Sequence, residues 1–368
     1  MDAKEYLAEL VGIQSVFPHE NLISSRLQRI LSEMGFAVNT VLTGTRKNVV
    51  ATYGKSDKFL CFYGHMDTVP PNTGMVRPYK LKINGKIGTG LGVADMKGGI
   101  SSILVAAEYA IQKDYPLKVV FGVDEENIFL GSFDLIKSGL MNNISFMVVG
   151  ESGEVKAHNQ PFNVCYGRKG RILFDATVTG KRAHAARSKE GINAISESAT
   201  LVRIIDSIKF PKHKNLRETN LVVQGINSSA DSFSVPDKCT IQFSLLSTPK
   251  VKSSEVISKI MKRASERNIE VMIVPHKRET LYAESYEINR KDPFLRKLER
   301  NLFEPQGVLP IYTGSVADEN VFANGLNIPV ISLGPISGGH HSINEWVDLN
   351  SLEATASAYK KVLELFST

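Results

Sequence analysis

The feature that most constrains the fold is an alternation, in the first part of the chain, of short apolar runs with longer segments of helical periodicity. Residues 22–34 and 100–111 carry apolar side chains at helical spacing, and Gly35 follows the first segment as a stop. Strands that alternate with helices predict an α/β layer around a largely parallel sheet. The predicted buried strands are residues 48–53, 59–63, 117–123 and 146–149.

A different pattern begins after Gly167, where the predicted elements follow the order β-α-β-β-α-β. This order is typical of a ferredoxin-like α+β domain. The elements are a strand at 171–179, a helix at 192–208, strands at 221–224 and 240–246, a helix at 253–267 and a strand at 269–274.

The α/β pattern returns from about residue 292, with a strand at 328–333 and a helix at 349–366. The smaller domain is therefore predicted to be inserted into the larger one, and two domains suit a chain of 368 residues. We expect a catalytic domain of residues 1–168 and 281–368, with an inserted domain of residues 169–280.

Composition and charge exclude several classes of protein. The net charge of +6 is distributed along the chain, and no interleaving of basic and aromatic residues indicates nucleic-acid binding. No apolar run approaches the roughly 18–20 residues of a membrane span, and the N-terminus lacks an apolar signal core. Cys61, Cys165 and Cys239 are odd in number and widely separated, which predicts free thiols and a reducing cytoplasm.

Histidine and acidic side chains recur where the predicted strands end. His65 follows the strand 59–63, and Asp67 is close enough to accept the second imidazole N–H. Asp95 precedes the helix that begins near Ile100, within a glycine-rich segment. Taken singly, a structural histidine and a helix-capping aspartate are the commoner interpretations.

Three further sites have the same character. Glu125 and Glu126 end the strand 117–123, Glu151 ends the strand 146–149, and His340 and His341 follow the last predicted strand. Each site taken alone is more simply explained as an ordinary surface or structural feature. Together, the histidine and acidic side chains form a set of nitrogen and oxygen ligands without cysteine. Such a set is typical of catalytic rather than structural zinc, and it is large enough for two ions that share a bridging carboxylate.

In these motifs the chain resembles the acetylornithine deacetylase and succinyl-diaminopimelate desuccinylase family of dinuclear zinc hydrolases. The resemblance rests on GHMDTVPP, GVADMKGG, the DEE triplet, VVGES and HSINE, in order over nearly the whole chain. It implies a zinc-peptidase-like three-layer catalytic domain with an inserted ferredoxin-like lid and dimerisation domain. It also implies two Zn²⁺, with Co²⁺ or Mn²⁺ as substitutes.

The resemblance assigns roles to individual residues. His65 and Glu151 would bind one ion, Glu126 and His341 the second, and Asp95 both. His341 rather than His340 matches the family pattern. Glu125 would be the general base, Asp67 would orient His65, and the bond between Asp95 and Met96 would be cis.

The inserted domain has its own implied roles. TGKRAHAARSKEGINAI resembles the family's histidine motif, so His184 would enter the active site of the partner subunit in a homodimer and stabilise the oxyanion. GRKG resembles a basic stretch that contacts a substrate carboxylate, which makes Arg168 a candidate substrate-binding residue.

The resemblance implies a cytoplasmic amidohydrolase that uses zinc-activated water on a small anionic N-acyl amino acid, as in lysine or arginine biosynthesis. Two departures leave the substrate open: Leu246 replaces an arginine, and the segment 231–236 (DSFSVP) lacks two asparagines. The alternatives are a carboxypeptidase or dipeptidase with the same site, and a non-catalytic binding protein that retains its metals.

Overall fold

The computed structural model describes residues 1–152, 160–230 and 233–368, and it divides into two compact units. Unit 1 comprises Met1–Gly167, Glu287–Thr313 and Ala317–Thr368, and unit 2 comprises Arg168–Tyr286 and Gly314–Val316. Among the described residues, no helix combines the length and apolar character that crossing a bilayer requires.

The helices and strands are numbered in chain order. The helices are α1 (Ala3–Val11), α2 (Asn21–Glu33), α3 (Gly98–Lys113), α4 (Leu130–Lys137), α5 (Ala194–Ser207), α6 (Ser253–Ser265), α7 (Pro293–Leu298), α8 (Asp318–Leu326) and α9 (Leu349–Ser367). The strands are β1 (Ala37–Thr43), β2 (Arg46–Tyr53), β3 (Phe59–His65), β4 (Lys82–Asn84), β5 (Ile87–Thr89), β6 (Leu117–Gly122), β7 (Ile144–Val149), β8 (Asn163–Arg168), β9 (Gly170–Thr179), β10 (Asn220–Asn227), β11 (Lys238–Ser247), β12 (Glu270–Pro275), β13 (Tyr286–Glu287), β14 (Ile311–Thr313), β15 (Val330–Gly334), β16 (Ser337–Gly338) and β17 (Trp346–Asp348).

The main sheet of unit 1 has the order β1-β2-β6-β3-β7-β15-β8-β13, with β14 paired to β8. Its centre, β6-β3-β7-β15, is parallel, as the alternating pattern predicts. The flanking pairs β1-β2, β2-β6 and β15-β8 are antiparallel, so the sheet is mixed rather than largely parallel. One reason is local: only two residues join β1 to β2, and Gly44 has the positive φ of 57° that such a tight hairpin requires.

Helices cover both faces of this sheet, which gives the three layers that the sequence predicts. Helices α1, α3 and α9 pack together with Leu60 and Phe62 of β3 in one core. From the opposite face of β3, the ring of Tyr63 lies 4.7 Å from that of Phe322 in α8. All seven residues of β3 are buried, as expected for a strand covered on both faces.

The beginning of α3 meets the end of β7 at backbone distance. A Cβ atom at Gly99 would lie 1.9 Å from the carbonyl oxygen of Gly150, so only glycine fits there. This contact brings the segment before α3 beside the segment after β7.

A second, small sheet in unit 1 has the order β16-β17-β5-β4. It joins the hairpin β4-β5 to the two strands that flank residues 339–345. The loop that contains His341 is therefore held at both ends.

Unit 2 contains the predicted β-α-β-β-α-β series, from β9 to β12. Its sheet has the order β10-β11-β9-β12 with every pair antiparallel, and α5 and α6 pack on the side of Phe174, Ala176 and Phe243. This is the ferredoxin-like arrangement. The range Arg168–Tyr286 holds 21 Lys and Arg against 12 Asp and Glu, a net charge of +9. The basic excess is therefore concentrated in this range, and the expectation that it is distributed along the chain is wrong.

Candidate active site

Three of the predicted site segments follow neighbouring parallel strands. His65 is the last residue of β3, Glu126 follows β6, and Glu151 follows β7. In the register of the sheet, His65 is opposite Gly122 of β6 and Tyr63 is opposite Val149 of β7. Their side chains therefore emerge at one edge, where open α/β sheets bind ligands.

Asp95 reaches the same edge from the turn Val93–Lys97 that precedes α3. The backbone of Asp95 and Met96 is non-helical, and the peptide bond between them is cis, as the family resemblance implies. Asp95 is not the cap of α3, because that helix begins at Gly98 and its N-cap residue Lys97 makes no side-chain capping bond. The helix-capping interpretation of Asp95 is therefore wrong.

The two carboxylate oxygens of Asp95 face different partners. Its Oδ1 lies 2.9 Å from Nε2 of His65, which in turn lies 3.4 Å from Oε2 of Glu151. Its Oδ2 lies 3.2 Å from Nε2 of His341, which in turn lies 3.1 Å from Oε2 of Glu126. The structure thus brings together all five residues predicted as metal ligands, with Asp95 between two pairs.

These separations fit ligands that share an ion. Two atoms bound tetrahedrally to zinc at about 2.0–2.1 Å lie about 3.3 Å from each other. Among the described residues, Oε1 of Glu126 is buried without a hydrogen-bond partner, which leaves it available as a ligand atom. The mixed imidazole and carboxylate donors also suit catalytic zinc.

The electrostatics of the cluster point the same way. Burial raises the pKa of Glu125 well above its usual value; His65 opposes this shift, whereas Asp318 and Glu126 add to it. The carboxylates of Asp95 and Glu126 raise the pKa of His341 to about 10. Both pKa values are raised because several acidic groups are crowded in a buried site around two imidazoles. A divalent cation would relieve this crowding.

Asp67 supports two of these residues. Nδ1 of His65 is 3.1 Å from the main-chain oxygen of Asp67 and 3.6 Å from its carboxylate, so the main-chain oxygen is the hydrogen-bond partner. The carboxylate accepts instead from the main-chain N–H of Glu126 at 2.9 Å. Asp67 thus accepts from the imidazole of His65 as predicted, but through its main-chain oxygen, while its side chain holds the neighbouring loop.

The positions of His340 and His341 show which of the two histidines faces the cluster. Nε2 of His340 lies 2.9 Å from Oγ of Ser152, whereas His341 faces Asp95 and Glu126. His341 has a positive φ of 57°, and its carbonyl accepts a hydrogen bond from the side-chain amide of Asn72.

Glu345 is a site residue that the sequence analysis does not identify. Its buried carboxylate accepts hydrogen bonds from the main-chain N–H groups of Gly92, Ala94 and Asp95, at 2.8, 2.9 and 3.2 Å. It therefore positions the Asp95 turn. The sequence signal that could have identified Glu345 is its place within the HSINE motif. Its three N–H donors satisfy a carboxylate that burial would otherwise destabilise.

Asp124, the first residue of the DEE triplet, also has a supporting function. Its carboxylate accepts from the main-chain N–H of Leu130 at 2.9 Å and lies 2.7 Å from the guanidinium of Arg46. Arg46 also pairs with the buried Glu20. This ion-pair network anchors the loop that carries Glu125 and Glu126.

The remaining predicted residues belong to unit 2 and are not part of this cluster. The buried Arg168 donates a hydrogen bond to Oγ of Ser315 at 2.6 Å. His184 is exposed, and its Nδ1 accepts from the main-chain N–H of Ala186. Leu246 is half-buried in β11 opposite Arg171. Residues 231 and 232 of the altered segment lie outside the described residues.

Comparisons with known proteins identify the family of the chain and its fold. Residues 61–365 match the model of peptidase family M20/M25/M40. A succinyl-diaminopimelate desuccinylase of Shewanella pealeana is 24% identical over 370 residues, which cover 97% of this chain and 95% of the relative.

Two solved structures share the fold. The aminopeptidase PepT of Bacillus cereus has a TM-score of 0.80 and 21% identity, and the match covers 100% of this chain and 98% of that one. The YXEP protein of Bacillus subtilis, described as a dinuclear metal-binding peptidase, has a TM-score of 0.75 and 13% identity, with 100% and 98% covered.

We expect Glu345→Ala to lower the affinity for Zn²⁺ about 10–100-fold, because the Asp95 turn would lose the acceptor of three N–H groups. Titration of the metal-free protein by calorimetry measures this effect. Glu33→Ala, which removes an exposed acid of α2, is the control. Unchanged affinity in a folded Glu345→Ala variant would contradict the positioning role.

Proposed function

The chain belongs to peptidase family M20/M25/M40 and is a hydrolytic enzyme, and from this premise we propose that it cleaves the amide bond of a small N-acylated amino acid. The preferred substrates are of the succinyl-diaminopimelate or acetylornithine type. The observation that carries the proposal is the position of Asp95. One of its carboxylate oxygens faces His65, which also neighbours Glu151. The other oxygen faces His341, which also neighbours Glu126.

Members of the family are metal-dependent, and His65, Asp95 and Glu126 offer ligand atoms close enough together to share one metal ion. In the proposal, His65 and Glu151 would hold one ion, Glu126 and His341 would hold the other, and Asp95 would be a ligand of both. The preferred metal is Zn²⁺, with Co²⁺ or Mn²⁺ as substitutes. When bound, such ions lower the pKa of water and polarise the scissile carbonyl.

The residues of the chain supply the remaining steps. Nδ1–H of His65 donates to the Asp67 carbonyl, which directs the Nε2 lone pair towards the ligand cluster. Glu125 takes a proton from the attacking water and later delivers it to the departing amine nitrogen. The oxygen of the attacking water forms a new C–O bond to the carbonyl carbon. The amide C–N bond then breaks, and the amine leaves with the proton that Glu125 delivers.

The inserted domain completes the proposal. His184 of the partner subunit would stabilise the oxyanion, and Arg168 would contact a substrate carboxylate. Two observations support a homodimer through unit 2. His184 is exposed, and the edge strand β10 exposes the apolar side chains of Val222 and Ile226 by 44% and 52%. An uncovered edge of this kind favours pairing with a second copy.

A peptidase is the alternative function. It is favoured by the structural similarity to an aminopeptidase. Leu246 in place of an arginine leaves the substrate open, because it offers no charge to a substrate carboxylate.

All three cysteines are buried free thiols, which supports the proposed cytoplasmic location.

A substrate panel distinguishes the two functions. N-succinyl and N-acetyl amino acids, dipeptides and tripeptides are incubated with zinc-loaded enzyme, and the released amine is measured. We expect the N-acyl amino acids to be the best substrates, and we expect chelation to abolish their hydrolysis and added Zn²⁺ to restore it. Preferential cleavage of peptides would assign the alternative function instead.

Glu125→Gln should retain two ions per chain while turnover falls about 10²–10⁴-fold, because the base is lost and the ligands remain. Metal analysis and initial rates on the same preparation measure both quantities. Glu126→Gln is the matched control and should lose metal as well as activity. Near-normal turnover by Glu125→Gln would remove the assigned base.

The proposed role of His184 in the partner's site predicts complementation. His184→Ala and Asp95→Ala homodimers should each be nearly inactive, whereas a mixed dimer should recover one of its two sites. Activity is measured on mixed dimers isolated with two different affinity tags. An inactive mixed dimer would show that His184 does not act in the partner's site.

A further inference from the structure

A cavity of about 170 Å³ in unit 1 lies between the residues that lead into the hairpin β4-β5 and the end of the His341 loop. It is smaller than the roughly 300–1,000 Å³ of sites for drug-sized ligands, so it suits one end of a small molecule. Its lining includes Val76, Arg77, Lys80, Lys82, Ile343 and Glu345.

The cavity has a concentration of positive charge. Within the described part of the chain, none of Arg77, Lys80 and Lys82 has a carboxylate partner within 4.0 Å. Lys82 donates to the carbonyl of Val76 at 2.8 Å, which leaves two of its three ammonium hydrogens. The acid of the lining is Glu345, whose two oxygens already accept from three main-chain N–H groups. The lining thus carries three exposed cations against one carboxylate, and this net positive charge favours an anion.

The backbone supports the same interpretation. Arg77 has a positive φ of 53°, a conformation that non-glycine residues rarely adopt and that recurs at ligand clamps. The N–H of Lys80 donates to the carbonyl of Arg77, so one turn presents both cations.

The apolar side chains of the lining indicate what kind of chemical group carries the anion. Val76 and Ile343 are 68% and 52% exposed, although both are large aliphatic residues. Exposed apolar side chains beside cations suit a ligand with a short methylene chain that ends in a carboxylate.

Chain connectivity links the cavity to the active site. Ile343 is two residues beyond His341 in the loop between β16 and β17, and the lining residue Gly90 leads into the Asp95 turn. We infer that this cavity binds the distal carboxylate of a short aliphatic acyl group, such as a dicarboxylic half-amide, and that Arg77 and Lys80 determine this specificity. The link to catalysis rests on the proposed function.

The single tryptophan of the chain gives a readout that does not depend on activity. Trp346 directly follows Glu345, so its emission should change saturably when succinate fills the cavity. The titration is performed on the metal-loaded enzyme at constant ionic strength. We expect the dissociation constant for succinate to rise at least about tenfold in Arg77→Ala and further in Arg77→Ala/Lys80→Ala.

Lys86→Ala is the matched control. Lys86 belongs to the turn between β4 and β5, carries the same charge, lies 3.5 Å from Asp348 and is not part of the lining. This variant should bind succinate as the unmodified protein does. The absence of saturable binding to the unmodified protein, or an equal loss in Lys86→Ala, would overturn the inference.

A kinetic comparison tests the link to specificity. With N-succinyl and N-acetyl derivatives of one amino acid, Arg77→Ala should raise KM at least about tenfold for the succinyl compound and leave the acetyl compound unchanged. An equal loss on both would overturn the specificity role. If neither compound is cleaved by the unmodified enzyme, the proposed function fails, while the succinate titration still decides whether the cavity binds carboxylates.

Discussion

The site depends on the concentration of negative charge at the carboxyl ends of the parallel strands β6, β3 and β7. Asp95, Glu125, Glu126 and Glu151 are gathered there together with His65 and His341. In a partly buried site such charges repel strongly unless a cation intervenes. The carboxylate of Asp95 has one oxygen towards each imidazole, and in the proposed function this arrangement would hold two ions that offset the repulsion.

The surrounding structure keeps these groups in place by hydrogen bonds to the main chain rather than by further side-chain ligands. Glu345 binds the Asp95 turn, Asp67 joins the His65 strand to the Glu126 loop, and Asp124 anchors that loop to Arg46. Each of these acids is buried and accepts hydrogen bonds from N–H donors or pairs with a cation. Their positions explain why the carboxylates of these motifs have different functions although they are the same chemical group.

The sequence predicts most of this organisation because its signals are local. Alternating apolar runs locate β3, β6 and β7, and parallel strands must bring His65, Glu126 and Glu151 to one edge. What the sequence does not predict depends on contacts between distant segments. The hydrogen bonds of Glu345 span about 250 positions, and the antiparallel flanks of the sheet follow from hairpin geometry and pairing rather than from periodicity. The turn of Arg77 and Lys80 has no periodic signal at all.

The close approach of Gly99 to the carbonyl of Gly150 has a consequence for how such an enzyme can diversify. Two main chains meet there without side chains between them, so the spacing of α3 and β7 cannot be adjusted by trimming or enlarging a residue. Substitution can instead remodel the exposed rim around Val76 and Ile343, where neighbouring atoms can move aside. If the cavity binds substrate as inferred, specificity can change at this rim while the spacing of α3 and β7 stays fixed.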